Sequence, residues 1–409
     1  MWPSGSCWPG EAVGLVRGNR PPSGASRADG GAPPSTGRQL YLDNLKVLLI
    51  GAIIALHGIG SYAGTIEVWT YTELREVTLI SAAEIAVVVL ALPFGLFLIA
   101  LLFLASGLLT VPSMDRKGPT RFARDRLVRL GIPFAVYVLL IQPTVVYALE
   151  HPLGYSPGSY WAEYLGEERI LDTGPLWFVG VLLIYSLVYA AWVHLRGPRA
   201  HRASGAISGR HLAIAAAIVA PASFLIRLVY PYGSDAGFTD LNLWQWPACI
   251  AVFALGIAAA RQGWASSVPN GVRRTCRTVS VVAIVAMAAL LVAAGLQERV
   301  EDMMGGPNEL AAGFAALDAV LCLFGSVWLL SVAQHHLARP LPHGRALARS
   351  AYGAFILQTP ILIGLALVLR HLDLPAEVKA LLVASGGIVA SYALAWLLIT
   401  RIPGLDRVL

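Results

Sequence analysis

The sequence predicts an all-α integral membrane protein, a polytopic bundle of about ten transmembrane helices with both termini cytoplasmic. Three observations carry that expectation. The chain is 56% hydrophobic and only 13% charged, where soluble chains average about 25% charged residues. Apolar stretches alternate with short polar loops from Leu45 onward. Basic residues, finally, concentrate in every second loop. A mean hydropathy of +0.65 excludes disorder for the bulk of the chain, because disorder needs low hydrophobicity and high charge. It also argues against a soluble two-domain enzyme, the default for 409 residues.

The expected spans lie near 45–62, 78–110, 130–149, 175–195, 211–230, 244–260, 278–296, 311–332, 351–369 and 377–400. Crossing a hydrocarbon core about 30 Å thick takes roughly 20 residues of helix. The second stretch is over-long and contains Pro93 and Gly95, which predicts a kink or tilt. Residues 1–38 are rich in Gly, Pro, Ser and Arg without an apolar run. They read as a disordered cytoplasmic tail ahead of a membrane domain over 39–409, and not as a signal peptide.

Charge sets the orientation. The segments 1–46, 111–129, 196–210, 261–277, 333–349 and 401–409 hold 24 of the 30 Lys and Arg residues and six of the 24 Asp and Glu. The positive-inside rule places them in the cytoplasm, and an even number of spans then puts both termini there. The sequence pI near 9.2 is thus mostly a topology signal and not a sign of a nucleic-acid partner. Cys7, Cys249, Cys276 and Cys322 stand singly, so neither a disulfide framework nor a metal site is expected.

Within the first span, Lys46 precedes His57 by eleven residues. That is three helical turns with about 20° left over, so the two share a face, roughly 16 Å apart along the axis. With Lys46 at the cytoplasmic boundary, His57 falls near the bilayer midplane. An ionisable group at that depth is functional by default, although a packing histidine and an anchoring lysine would show the same spacing. The stretch before span three brings together Arg121, Arg124, Arg126 and Arg129. Guanidinium groups grip phosphates, yet ordinary positive-inside charge on anionic headgroups would look alike. Trp177 opens span four as an interfacial aromatic or a site residue, and Gln358 lies inside span nine as polar glue or a contact. Glu84, Arg227 and Asp318 fall inside spans, in the outer half by the proposed topology, where opposite charges pair structurally or line a polar cavity.

In order along the chain, several segments resemble the membrane acyltransferase 3 family. They are Tyr41–Lys46 with His57, Phe103–Gly107, Arg121–Pro133, Gly174–Phe178, Trp244–Pro247 and Ser350–Pro360. The Leu42–Leu45 and Asp115–Pro119 stretches are similar to those of the periplasmic-glucan succinyltransferase-like branch. The resemblance implies an integral plasma-membrane enzyme, transferring groups other than aminoacyl groups. It would move an acetyl, succinyl or similar group from cytosolic acyl-CoA to a hydroxyl of an extracytoplasmic glycan, lipid or small molecule.

It further implies that His57 serves as general base or acyl carrier with Lys46 as its catalytic companion, and that the four arginines hold the CoA phosphates. The acceptor side would then draw on Asp43, Glu84, Trp177, Arg227, Asp318 and Gln358. Two departures stand out: the family pattern has Arg where this chain has Lys46, and relatives often carry His where it has Gln358. A multi-span transporter or lipid flippase is the competing reading, although the halves show no repeat of the kind common in transporters. A non-catalytic scaffold leaves His57 unexplained.

The charge partition makes a direct prediction. A cysteine introduced at Ser234 should react with an impermeant maleimide applied from outside, whereas one at Ser204 should not. The opposite pattern would invert the orientation and with it the side that meets a cytosolic donor.

Overall fold

The computed structural model describes residues 40–64, 75–150, 172–197, 206–234 and 239–408, with the backbone alone at 88–94, 96 and 150. The tail expected over residues 1–38 lies outside the described residues. Ten helices are long and apolar enough to cross a membrane, and no strand occurs among the described residues. They are α1 (Leu40–Gly60), α2 (Ser81–Lys117), α3 (Pro119–Leu149), α4 (Gly174–Arg196), α5 (Gly209–Arg227), α6 (Leu243–Arg261), α7 (Asn270–Leu296), α8 (Glu309–His336), α9 (Gly344–Leu369) and α10 (Ala376–Arg401). This is a multi-pass membrane protein. Only helices and closed barrels satisfy every backbone group without water, so apolar sequence of this length settles into helix.

Several boundaries differ from the sequence expectation, and the reason is shared. Polar residues at the membrane edge lengthen helices rather than end them, because their long side chains reach the interface. The stretch 111–129, expected as a basic loop, is helical throughout except at Gly118. Gly118 sits at φ +72, its N–H bonds the Met114 carbonyl at 2.8 Å, and Pro119 starts α3. A left-handed glycine followed by proline at the first helical position gives a one-residue corner. α2 is 37 residues long, about 55 Å at 1.5 Å per residue, and its apolar spanning part is Phe97–Lys117.

Two helices carry wide turns of the π type, α3 at Leu127–Gly131 and Tyr137–Ile141, and α8 at Leu321–Gly325. Each shifts the phase of the side chains that follow. Aliphatic side chains such as Leu48, Val188, Ile218, Val285 and Val389 point outward, where lipid replaces solvent.

Hydrocarbon provides no hydrophobic drive between helices, so close contact and cross-helix hydrogen bonds hold the bundle. α2 and α6 cross at Gly107 and Gly256. A Cβ on Gly256 would lie 2.9 Å from the Gly107 Cα and 3.0 Å from the Leu108 nitrogen. α1 meets α10 in the same manner, a Cβ on Gly58 falling 2.8 Å from the Ala384 Cα.

The first turn of α1 is tied to one end of the bundle. Tyr41 donates to the Ala265 carbonyl at 2.5 Å, and Asn44 Nδ2 to the carbonyls of Leu337 and Arg339, each at 2.8 Å. At the other end, Ser61, Tyr62 and Ala63 form a buried turn. Arg75 caps it by donating to the carbonyls of Ala63 and Gly64. Lys379, itself buried, pairs with Glu76 at 2.6 Å. Irregular backbone at membrane depth is tolerated where protein covers it.

Gly256→Val should therefore spread α2 from α6 and cost about 1–3 kcal/mol, as overpacking of a tight core does. Thermal unfolding in detergent should show a lowered Tm. Gly271→Val, at a position open to space, serves as the control and should leave Tm nearly unchanged.

Candidate active site

α1 and α9 start together, since a Cβ on Gly344 would lie 3.6 Å from Asn44 Oδ1. His57 is thirteen residues beyond Asn44 and Gln358 fourteen beyond Gly344. Both rise about 20 Å at 1.5 Å per residue, so the two helices deliver them to one height. There His57 Nδ1 lies 3.0 Å from Gln358 Oε1. Gln358 is fully buried, and its Nε2 donates to the Phe355 carbonyl at 3.1 Å. His57 is half-buried in the last turn of α1, and the adjacent Gly58 sets that turn against Ala384 of α10. Pro360 supplies no N–H to the carbonyl of Ile356, which loosens the ladder of α9 beside Gln358.

A chain of polar groups flanks this pair. The Tyr137 hydroxyl lies 2.8 Å from both Gln142 Oε1 and Thr359 Oγ1. Gln142 Nε2 donates to Asp172 Oδ2 at 2.5 Å, and the Gly174 N–H to Asp172 Oδ1 at 2.7 Å. The π turn of α3 begins at Tyr137 and ends just before Gln142, turning both toward α9. Gly174 sits at φ +45, and a Cβ there would approach the Tyr137 hydroxyl to 2.9 Å, so this corner needs glycine twice over. The aromatic rings of Phe103, Phe178 and Phe355 pack edge to face in series at 4.7 and 6.2 Å. Segments far apart in the sequence thus meet around the Gln358 turn: Phe103–Gly107, Gly174–Phe178 and Ser350–Pro360. Trp177 is the half-buried first residue of regular helix in α4.

Lys46 and Asp43 are half-buried one turn apart on α1, below His57 and on the end where Tyr41 and Asn44 are anchored. The arginines of α3 do not all share one face. Arg121 and Arg124 are exposed and three residues apart, hence neighbours on one face. Arg126 is two residues from Arg124 and so points to the opposite side, half-buried with its guanidinium 4.9 Å from the Phe122 ring centroid. Arg129 pairs with Asp125 at 3.4 Å, and Asp125 also accepts from Lys117 at 2.8 Å.

Arg227 and Asp318 form a fully buried ion pair between α5 and α8. The guanidinium also lies over the rings of Tyr232, Trp244 and Phe314, at 5.4, 5.9 and 5.3 Å. Cys322 Sγ donates to the second carboxylate oxygen at 3.3 Å. An aromatic box of this kind compensates a desolvated cation that one carboxylate alone would not. Glu84 lies elsewhere, its carboxylate 3.3 Å from the Cβ position of Gly64 in the turn after α1. Glu84 therefore belongs to the α1 side of the bundle, and Arg227 with Asp318 to the α5–α8 side.

The sequence alone assigns no role to Tyr137, Gln142, Thr359 or Asp172. A glutamine and a threonine within otherwise apolar runs were the available signal, but nothing in their spacing says that they meet.

No curated protein and no solved structure matches the chain. The family model for the acyltransferase domain, of the acyltransferase 3 type, matches residues 39–400, the ten-helix bundle to within one residue of the end of α10. With its membrane helices and the motif segments drawn together around His57 and Gln358, the chain belongs to the acyltransferase 3 family.

Proposed function

We propose that the protein is an O-acyltransferase of the plasma membrane. It moves an acyl group from cytosolic acyl-CoA to a hydroxyl of an extracytoplasmic glycan or other acceptor, with succinyl the first donor to test beside acetyl. The observation that carries this reading is the placement of His57. In a chain of an acyltransferase family, an imidazole is delivered about 20 Å into the bundle and hydrogen-bonded there by a buried side chain. Both termini are cytoplasmic in this reading, which puts Lys46 and the α2–α3 corner on the donor side.

The chemistry follows from the residues. A neutral imidazole accepts a proton near neutral pH, so His57 takes the acceptor hydroxyl's proton as general base or carries the acyl group between donor and acceptor. Lys46, about 16 Å below, is too far to touch the same atoms. It binds a donor phosphate, and the thioester reaches His57 at the other end of the donor's long arm. As a compact ammonium it grips a phosphate as a point charge, without the planar fork of arginine. Arg121 and Arg124, exposed on one face, hold further donor phosphates. Arg126 serves the packing of α3 on Phe122 instead. Asp43 and Trp177 shape the two mouths of the site, and the buried Arg227–Asp318 pair braces α5 against α8.

Transfer of labelled acetyl or succinyl groups from acyl-CoA to membrane material, followed in vesicles, tests the reading. His57→Ala should abolish transfer while shifting stability by no more than about 1–2 kcal/mol. Lys46→Ala should lower the rate, and Lys46→Arg should keep or raise it. Full turnover by folded His57→Ala protein would defeat the mechanism and favour the transporter reading.

The donor side has its own measurement. Arg121→Gln with Arg124→Gln should raise the KM for acyl-CoA about tenfold, the effect of about 1.4 kcal/mol, with Tm unchanged. Arg126→Gln should instead lower Tm and leave KM alone. The reverse distribution would move the phosphate site to the other face of α3.

A further inference from the structure

The hydrogen bonds of Gln358 fix more than its own position. A side-chain amide has one acceptor end and one donor end. Its Nε2 faces the Phe355 carbonyl at 3.1 Å, which can only accept. The end turned toward His57 is therefore the oxygen, as the 3.0 Å separation of Oε1 from Nδ1 records. An oxygen acceptor requires a proton on Nδ1, and in a neutral imidazole the lone pair then lies on Nε2.

The geometry points to Gln358 as a positioning residue for acyl transfer: through the Phe355 carbonyl it locks His57 in the Nδ1–H form and presents Nε2 as the reacting nitrogen. The inference rests on the proposed acyltransferase reading and deepens it. In the step it serves, the acceptor oxygen bonds to the thioester carbon while its proton passes to Nε2. The carbon–sulfur bond then breaks, and the departing CoA thiolate takes the proton back from Nε2. Every turnover returns the imidazole to its starting tautomer, so a fixed Nδ1–H contact need not be rebuilt between cycles.

An amide in this place orients the ring without adding charge. Paired with a carboxylate, the imidazolium formed during the step would be stabilised much more strongly. Titratable groups on elements packed against α1 include Glu84 on α2, His335 and His336 on α8, Tyr352 on α9 and Lys379, with Glu76 beside it, on α10, besides Asp43 and Lys46 on α1 itself. They are common to all the variants below, so a change seen on altering residue 358 reports the 358 contact.

The test uses the full-length protein in membrane vesicles, with acetyl-CoA or succinyl-CoA as donor and the vesicle's own glycans and lipids as acceptor. Gln358→Met keeps the length of the side chain and removes the strong acceptor. It should lower kcat about 10- to 100-fold, the lower part of what a positioned base contributes, with KM for the donor within about twofold. It should also move the acidic limb of the pH–rate profile to lower pH. Gln358→Glu restores an acceptor and adds charge, so it should recover most of kcat and move that limb to higher pH. A purely structural role predicts lost folded protein with an unmoved limb.

Wild-type kcat and an unmoved limb in Gln358→Met would overturn the inference while leaving the function intact. If Gln358→Met fails to fold, the Gln358→Glu limb decides alone, and one that stays in place or falls overturns it. Activity retained by His57→Ala would instead strike at the proposed function itself.

Discussion

Inside hydrocarbon a polar group can bond only to protein, and the structure is organised around that constraint. Several polar side chains find their partners on distant parts of the chain. Asn44 reaches the turn after α8, and Tyr41 the turn after α6. Gln334 bridges the Trp264 carbonyl and the Val268 N–H at 2.7 and 3.0 Å, and Tyr392 on α10 donates to the Val47 carbonyl at 2.8 Å. Bonds of this kind average only about 0.6 kcal/mol each in membranes. Their value here is directional. A helix that slid by one residue would leave several of them unmade at once, so together they set the height of α1, and with it the height of His57.

Close contact supplies the other half of the stability. Gly107 and Gly256 let α2 and α6 touch backbone to backbone, and Gly58 does the same for α1 and α10. Gly58 immediately follows His57, so this close contact of α1 falls next to the proposed catalytic position. The π turns serve a related end. By adding a residue to the turn at Tyr137, α3 brings Tyr137 and Gln142 onto one polar chain with Thr359 and Asp172. That chain anchors α9 at Thr359, next to Gln358 and to the Pro360 that weakens its backbone ladder. Rigidity at this point gives a catalytic imidazole a fixed orientation rather than an average one.

The distance between Lys46 and His57 is a division of labour in the proposed reaction. A long donor carries its phosphates and its thioester at opposite ends, so a cationic group near one membrane face and a base deep in the bundle can act on one molecule. The Arg227–Asp318 pair belongs to neither place. Set among three aromatic rings between α5 and α8, it is the structural pairing that opposite charges inside the spans offered beside a polar cavity.

The sequence by itself determined the fold class. Ten apolar stretches had to become helices because no other backbone satisfies itself in lipid, and the alternation of basic and acidic loops gave a topology to test. It also determined that Lys46 and His57 share a face, since helical phase is a matter of counting. Ends of helices were less legible, because Arg121, Arg124 and Arg273 are as compatible with a first helical turn as with a loop. Only the tertiary structure decided which polar groups meet. Gln358 with His57, Thr359 with Tyr137, Arg227 with Asp318, and Arg126 with Phe122 are partnerships across 301, 222, 91 and four residues of chain. Three of the four depend on the relative height and rotation of packed helices, which glycine contacts and π turns fix. Neither is written in the hydropathy of any single span.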